Sequence, residues 1–433
     1  MSKKKRDKEK ICIIGLGYIG LPTASILASS GFQVLGVDLE ETLVSRINRG
    51  LVHIHEPGLH TLVQAAVHSG NLVAALEPEG ADVFLIAVPT PLQREGGRVD
   101  VDLGNVESAV KAITPHLQKG NLVILESTAP PGTLEGLVVP LLEQGGLKGG
   151  RDFYAAYCPE RVLPGRTMKE LIENNRIIGG YDEASARKAE ALYRSFVEGE
   201  IILTGARTAE MVKLSENIYR DVNVALANEL SAICEKLGIN AWEMISLANL
   251  HPRVHLHQPG PGVGGHCISV DPWFVISQFP DESRLLALAR RINDERPLMV
   301  ADLVVQLLKG IEDPVVTLMG VAYKGNIDDT RESPALRVLE ELRGRGINCR
   351  IYDPHVSTLP EETNNLSAAF SGSDCALLLA DHDEFRYLYP RELGKIMRRP
   401  VIVDTRACLE RALWEEHGFS YHLLGLDEKG ARY

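Results

Sequence analysis

The sequence predicts an α/β protein in three parts: an N-terminal doubly wound parallel sheet, a long central helix within a helical domain, and a second α/β domain at the C-terminus. Three observations carry this. In the first half, short apolar β-branched runs alternate with amphipathic stretches, the pattern of βαβ units. One uninterrupted helical period then runs from Thr208 to Leu237. Beyond Val315 the alternation of strand and helix returns. The expected boundaries are 1–204, 205–300 and 310–433.

The first-half strands are read at Ile11–Leu16, Gln33–Asp38, Asp82–Val88, Leu122–Glu126, Asp152–Tyr157 and Arg176–Gly179. In the long helix Met211, Leu214, Ile218, Val222, Ala225 and Ile233 recur at helical spacing, and Gly238 supplies a stop. At ~1.5 Å per residue such a helix spans roughly 45 Å, enough to join two domains and meet a partner subunit. Pro and Gly crowd Pro259–Gly265, which must be a turn or loop. Later strands are read at Val315–Gly320, Cys349–Tyr352, Cys375–Leu379 and Val401–Val403, with Arg337–Arg343 in a helix.

Composition narrows the function. The 433 residues are enough for two or three cores, and the shares of 45% hydrophobic and 24% charged residues are those of an ordinary globular protein. The net charge of -12 argues against nucleic acid or an anionic membrane as partner, while leaving room for a local basic pocket. No apolar run approaches the ~20 residues of a membrane helix. Met1–Lys10 is a Lys-rich polar stretch read as a leader. Gly15, Gly17 and Gly20 interrupt the apolar segment after it, so no signal-peptide core is expected. The 7 cysteines are scattered without a CxxC pair, so neither a metal site nor a disulfide framework is expected, and a reducing cytoplasm fits.

The segment ICIIGLGYIG places Gly15, Gly17 and Gly20 in a GxGxxG pattern between a strand and a helix. Gly15 permits a tight turn, Gly17 lets backbone approach a pyrophosphate, and Gly20 lets helix and strand pack closely. Asp38 ends the next strand, about 20 residues on, where an acid meets a ribose hydroxyl and repels a 2′-phosphate. This is a Rossmann-type fingerprint for NAD; a glycine turn that binds nothing is the competing reading. Thr90 in VPTP and Ser127-Thr128 after Glu126 put hydroxyls at strand ends, equally compatible with ligand contact and with plain turn chemistry.

Three further segments concentrate polar residues. Cys158-Pro159-Glu160-Arg161 leaves a strand at its carboxyl end. Lys213, Asn217 and Arg220 share one face of the long helix and suit an anion or oxyanion; a solvated face paired with Glu210 and Glu216 is the alternative. In PGPGVGGHCISVD, glycines clear space for a ligand and Cys267 follows, with Asp271 four residues on. A short helix starting here would put Cys267 near its N-terminus, with a lowered thiol pKa, and Asp271 on the same face. A nucleophilic cysteine beside NAD has a chemical logic. A free aldehyde gives up no hydride until an adduct forms; a thiolate supplies that adduct, and the resulting thioester is hydrolysed to the acid.

At these residues the chain resembles the nucleotide-sugar 6-dehydrogenases, the UDP-glucose and UDP-N-acetylhexosamine dehydrogenases. GLGYIGLP, AVPTP, EST, CPERVLPG, RTAEMVKLSENIYRDVNVALANEL, HPRV, PGPGVGGHC and DDTRESPA occur in order over nearly the whole chain. CPERVLPG and HPRV…QPGPGVGGHCI resemble the branch acting on UDP-N-acetylmannosamine; UDP-N-acetylglucosamine, differing at one stereocentre, is the alternative. The resemblance implies NAD-dependent four-electron oxidation of a primary alcohol to a carboxylate. It implies Cys267 as nucleophile, Lys213 and Asp271 handling the alkoxide proton and a water, Asn217 and Thr128 positioning them, and Glu160 assisting thioester hydrolysis. It gives NAD contacts to Tyr18, Ile19, Asp38, Thr90, Thr128 and Arg331. It gives the UDP-sugar to Arg161, Val162, Lys213, Asn217, Arg220, His251, Arg253, Gly264, Tyr323, Lys324 and Arg406, and implies a homodimer or higher homo-oligomer. Two departures stand out: Arg161 and Pro164 replace the acidic segment of the UDP-glucose branch, and DTRACL around Arg406 matches the family pattern weakly. From the residues alone, Lys324, Arg331 and Arg406 lie near strand ends, either as diphosphate ligands or as surface charges on loops. An NAD-retaining epimerase lacks its Tyr-x-x-x-Lys pair here, and an NAD-sensing binding module has no need of Lys213, Asn217, Cys267 and Asp271 together.

Overall fold

The structure is a computed structural model that describes residues 9–54, 56–357, 359 and 365–426. Most of the Lys-rich leader lies outside them. Two compact units emerge: Met1–Glu216 with Trp273–Gln278, and Asn217–Pro272 with Phe279–Tyr433.

The strands of the first unit are β1 (Lys10–Ile14), β2 (Gln33–Val37), β3 (Leu72–Ala75), β4 (Val83–Ile86), β5 (Leu92–Glu95), β6 (Arg98–Val101), β7 (Leu122–Leu125), β8 (Tyr154–Tyr157), β9 (Arg176–Gly180) and β10 (Ile201–Gly205). Eight of them form one sheet in the order β10-β9-β8-β7-β4-β1-β2-β3. Its central strands are apolar throughout, because helices cover both faces and leave no solvent side. Ile11, Ile13 and Leu85 anchor the core on one face; Cys12, Phe84 and Val123 anchor it on the other. The chain leaves β1 toward β2 on one side and β4 on the other, so the carboxyl end of β1 is a topological switch point, where such sheets bind ligands.

The sheet departs from the expected parallel form at one place. β8 and β9 pair antiparallel, Ala156 opposite Gly180 and Tyr157 opposite Gly179. The Cys158–Asn175 connection is a loop and one short helix, Thr167–Glu173, that returns the chain on the same side instead of crossing the sheet. β5 and β6 form a separate hairpin turned by Gly96 and Gly97, both at positive φ (57° and 82°).

The long helix runs Ala206–Leu237, continuous across the unit boundary. The second unit holds a five-stranded, all-parallel sheet of β11 (Val315–Met319), β12 (Asn348–Tyr352), β13 (Cys375–Leu378), β14 (Val401–Asp404) and β15 (Ser420–Leu423) in the order β12-β11-β13-β14-β15. Its switch point is the carboxyl end of β11, followed directly by Gly320–Lys324. A buried network ties the long helix to the helix Arg284–Leu307. Arg290 pairs with Asp221 at 2.5 Å, both almost fully buried. Asn293 Nδ2 donates to Asp221 Oδ1 at 2.9 Å, and Asn228 Nδ2 donates to Asn293 Oδ1 at 3.0 Å.

Candidate functional site

In the first unit the glycine turn divides its labour. Gly15 has φ 93°, and a Cβ there would stand 2.5 Å from the Ala87 carbonyl oxygen; one on Gly20 would stand 1.8 Å from the Gly15 oxygen. Those two glycines are demanded by the turn itself. Gly17 differs: a Cβ there meets nothing within 4 Å, and its backbone is outside the left-handed region. Its bare face opens a cradle at the switch point, beside the helix Gly20–Ser29, which fits a dinucleotide pyrophosphate. Asp38 follows directly on β2, one residue beyond the strand end at Val37. Its Oδ2 accepts the Leu16 N–H (3.0 Å) and its Oδ1 the Glu40 N–H (3.1 Å), so the carboxylate is fixed against the turn. Tyr18 is exposed and Ile19 half-buried beside it.

The two hydroxyl-bearing strand ends are laced together. Thr90 Oγ1 donates to the Thr128 carbonyl (2.9 Å) and Ser127 Oγ to the Val88 carbonyl (2.7 Å). Glu210 accepts the N–H groups of Gly132 (2.5 Å) and Leu134 (2.9 Å), and Glu216 receives Arg161 through both Nε (3.0 Å) and Nη2 (2.5 Å). Both acids thus have partners outside the stripe, and Lys213 and Asn217 are buried while Arg220 is exposed, so only the end of the stripe is a solvated face. Glu160 accepts the Val162 N–H. Burial raises its pKa, opposed by Lys213 and Arg176. The loop behind it is pinned by Glu56, which accepts from Gly165 N–H (2.7 Å) and Thr167 Oγ1 (2.7 Å), a role that no spacing rule announces.

In the second unit Asn217 Nδ2 donates to Asp271 Oδ2 at 2.6 Å, and the Asp271 N–H donates to the Cys267 carbonyl at 2.8 Å. The first contact joins the two side chains; Cys267 is tied to Asp271 through backbone, one turn earlier in the chain. The expected short helix begins at Asp271, not at Cys267: it spans Asp271–Ile276, and Cys267 sits in the preceding turn. Within this turn the Gly265 carbonyl accepts from Ser269 Oγ (2.5 Å). Cys267 is exposed, whereas Cys12, Cys158, Cys234 and Cys375 are buried. Burial pushes the Cys158 thiol up to about 11, so it makes a poor nucleophile despite its motif.

The glycines before Cys267 have protein neighbours. A Cβ on Gly264 would stand 2.6 Å from the Glu332 carbonyl oxygen and 2.8 Å from Tyr323 Cβ; one on Gly265 would stand 2.8 Å from the Tyr323 ring. The Gly265 N–H also donates to the Arg331 carbonyl (3.1 Å). Gly260 is gripped at both ends, its N–H by Asn228 Oδ1 (2.9 Å) and its carbonyl by Arg296 Nε (3.2 Å). The space these glycines clear is thus filled by the protein's own 323–334 segment, where the sequence had suggested a ligand.

Tyr323 and Lys324 follow β11, and Arg406 follows β14, at the carboxyl ends of the second sheet. Arg406 Nε donates to the Leu379 carbonyl (2.9 Å), and Arg331 is held by Asp329 (Nη2 to Oδ2, 2.6 Å). Glu332 and Ala407, next to those arginines, both hold φ 51°, strain of a kind that clusters at functional positions. Arg220, His251 and Arg253 are exposed, the last two in one turn (Arg253 N–H to His251 Nδ1, 3.3 Å). His355, His382 and Glu384 place potential ligand atoms within 4.8 Å of one another. His382, however, accepts the Asn326 N–H on Nδ1 (2.9 Å) and bonds Asp353 through Nε2 (3.2 Å), while Asp353 takes the Val321 N–H (2.7 Å). The group braces the Tyr323–Lys324 loop.

Residues 9–197 match the NAD-binding domain of the UDP-glucose/GDP-mannose dehydrogenase family, 207–295 its central domain and 317–411 its UDP-binding domain. The chain belongs to this family. It therefore has the family's three-domain architecture and is an NAD-dependent oxidoreductase. It is 47% identical over 425 residues, 97% of each chain, to the UDP-N-acetyl-D-mannosamine dehydrogenase of Methanococcus maripaludis. It is 47% identical to an NDP-N-acetyl-D-galactosaminuronic acid dehydrogenase of Ralstonia solanacearum, over 92% of this chain and 96% of that one. A solved UDP-D-ManNAc dehydrogenase of Pyrococcus horikoshii is similar with a TM-score of 0.91 and 43% identity, over 96% of this chain and 99% of that one. No described helix is long and apolar enough to cross a membrane.

Proposed function

We propose that the chain oxidises the C6 primary alcohol of UDP-N-acetyl-D-mannosamine to the carboxylate, with two NAD reduced per sugar. The observation that carries this is the Asn217–Asp271 hydrogen bond, which fixes a buried carboxylate and amide one turn after the exposed Cys267, in a chain with full-length relatives of that activity. NAD, when bound, takes hydride from the substrate carbon. The glycine turn, Tyr18, Ile19, Asp38, Thr90, Thr128 and Arg331 hold it. Lys213 and Asp271 take the alcohol proton. Cys267 adds as thiolate to the aldehyde, giving a thiohemiacetal; after the second oxidation the thioester is opened by water, activated with help from Glu160. Asn217 and Thr128 position water and substrate. Arg161, Val162, Arg220, His251, Arg253 and Gly264 bind the sugar, and Tyr323, Lys324 and Arg406 bind UDP. A diphosphate at Lys324 and Arg406 suits the carboxyl ends of a parallel sheet.

The same reading divides the chain at 1–204, 205–300 and 310–433, and places it in the cytoplasm as a homodimer or larger homo-oligomer. Exposed Tyr219, Leu226 and Ile233, seven residues apart on the long helix, support a self-association stripe. The Ralstonia relative favours a second reading, an N-acetylgalactosamine nucleotide as substrate. The test is NADH formed per mole of UDP-ManNAc, UDP-GlcNAc, UDP-GalNAc and UDP-glucose. Two NADH from UDP-ManNAc, with little from the others, supports the proposal; two from another sugar changes the substrate; none from any rejects the activity.

A further inference from the structure

Beneath Glu160 lies a buried set of charged side chains that the proposed reaction does not use. Glu126 follows β7 and is 3% exposed. Its Oε1 accepts the Tyr193 hydroxyl at 2.6 Å, and its Oε2 has no hydrogen-bond partner among the described residues. Arg176 opens β9 and is also buried. Its guanidinium lies 5.0 Å from the Tyr193 ring centroid and donates to the Leu171 carbonyl (3.3 Å). Arg176 also lines one small cavity together with Pro159, Glu160 and Arg161. Lys213, Glu160, Arg176 and Glu126 thus alternate in charge, with Cys158 and Tyr193 the other titratable groups packed among them.

A purely structural core gains little from this arrangement. Burying a carboxylate with one oxygen unpaired is costly, and an apolar side chain of similar size fills the space without that cost. What the arrangement does achieve is to hold a buried cation, Arg176, in the wall of the cavity that Glu160 lines, with Glu126 behind it across the Tyr193 ring. We propose that Arg176 is a positioning residue that sets the charge of Glu160, and that Glu126 is its buried counter-acid. The kinetic consequence rests on Glu160 being the base of thioester hydrolysis, as proposed above; its ionisation can be read independently of that role. The electrostatics agree. Burial raises the Glu126 pKa to about 7 against the pull of Arg176 and Tyr193, with Glu160 adding to the rise. Burial likewise raises Glu160, against Lys213 and Arg176.

The test uses the full-length enzyme with two variants, Glu126→Gln and the double variant Glu126→Gln/Arg176→Met, which removes both charges and leaves neither orphaned. Infrared titration of the carboxyl band, taken as a difference from Glu160→Gln, reports Glu160 itself. The pH profile of single-turnover thioester hydrolysis reports its use. Glu126, raised to about 7, is already protonated over the acid limb, so Glu126→Gln alone should leave the Glu160 titration and the acid limb in place. The double variant also removes the cation, so Glu160 should titrate higher than in Glu126→Gln. An infrared titration unchanged in both variants overturns the proposal and leaves the cluster a structural one. Full hydrolysis by Glu160→Gln would instead remove the base role, while the infrared result still decides whether Arg176 sets its charge.

Discussion

Two glycines of this chain make opposite demands, and replacing each with alanine separates folding from binding. At Gly265 the backbone has φ +85°, and an added Cβ would stand 2.8, 3.0 and 3.1 Å from atoms of the Tyr323 ring. Left-handed backbone costs an alanine about 1–2 kcal/mol, and forcing the ring aside costs about 1–3 kcal/mol more. Gly265→Ala should therefore lose roughly 2–5 kcal/mol, seen as a fall in Tm of roughly 4–20 °C for a unit of this size. Gly17 has no such neighbours and no positive φ, so Gly17→Ala should leave the ligand-free protein as stable as before. Its methyl group fills the pyrophosphate cradle, and the NAD Kd should rise by roughly 10- to 100-fold. Calorimetric unfolding and NAD titration of both variants measure the four quantities. Unchanged NAD affinity in Gly17→Ala would refute the cradle, and an unchanged Tm in Gly265→Ala would refute the contact with Tyr323.

Other outcomes rest on the same geometry. Cys267→Ser should keep NAD binding and lose acid formation; normal acid yield, measured by product chromatography, would remove Cys267 from the mechanism. Asp38→Ala should weaken NAD binding, because its carboxylate leaves both the ribose and the Leu16 N–H; equilibrium titration checks this. Asp221→Ala strands Arg290 with only the partly exposed Asp294, and should cost about 3 kcal/mol in urea unfolding, most of it recovered by adding Arg290→Met. Burial alone would raise Asp353, but the His382 hydrogen bond and the Val321 and His355 N–H groups hold it down to about 2. A depressed folded pKa stabilises above the ordinary carboxylate value and loses that stability as pH falls toward about 2. Asp353→Asn should flatten acid unfolding in that window.

The βα rhythm revealed the central strands because they are apolar along their whole length, a signal that survives without tertiary context. β3 and β15 escaped because they are short edge strands with mixed exposure, and the β5–β6 hairpin because LQRE and RVDV carry almost no apolar residues. Its Gly96-Gly97 turn was the available cue. The antiparallel β9 was hidden because strand direction depends on the loop after β8, not on the composition of β9. At the site, glycine, cysteine and acid motifs were legible, since rare residue types at fixed spacing constrain chemistry. Glu56, Asn228 and Arg296 were not. Each grips backbone far away in sequence, and nothing local separates a buried arginine in Arg284–Leu307 from an exposed one.

The close seating of Gly264 and Gly265 against Tyr323, Glu332 and Pro334 limits how this chain can be recombined with its relatives. A chimera cut between the helix Arg284–Leu307 and β11 looks natural on a domain map. Yet it takes the 260–267 segment from one parent and the 323–334 segment from another, across a fit that tolerates no added carbon atom. A graft that exchanges nucleotide preference should carry both segments together, as a single inherited block.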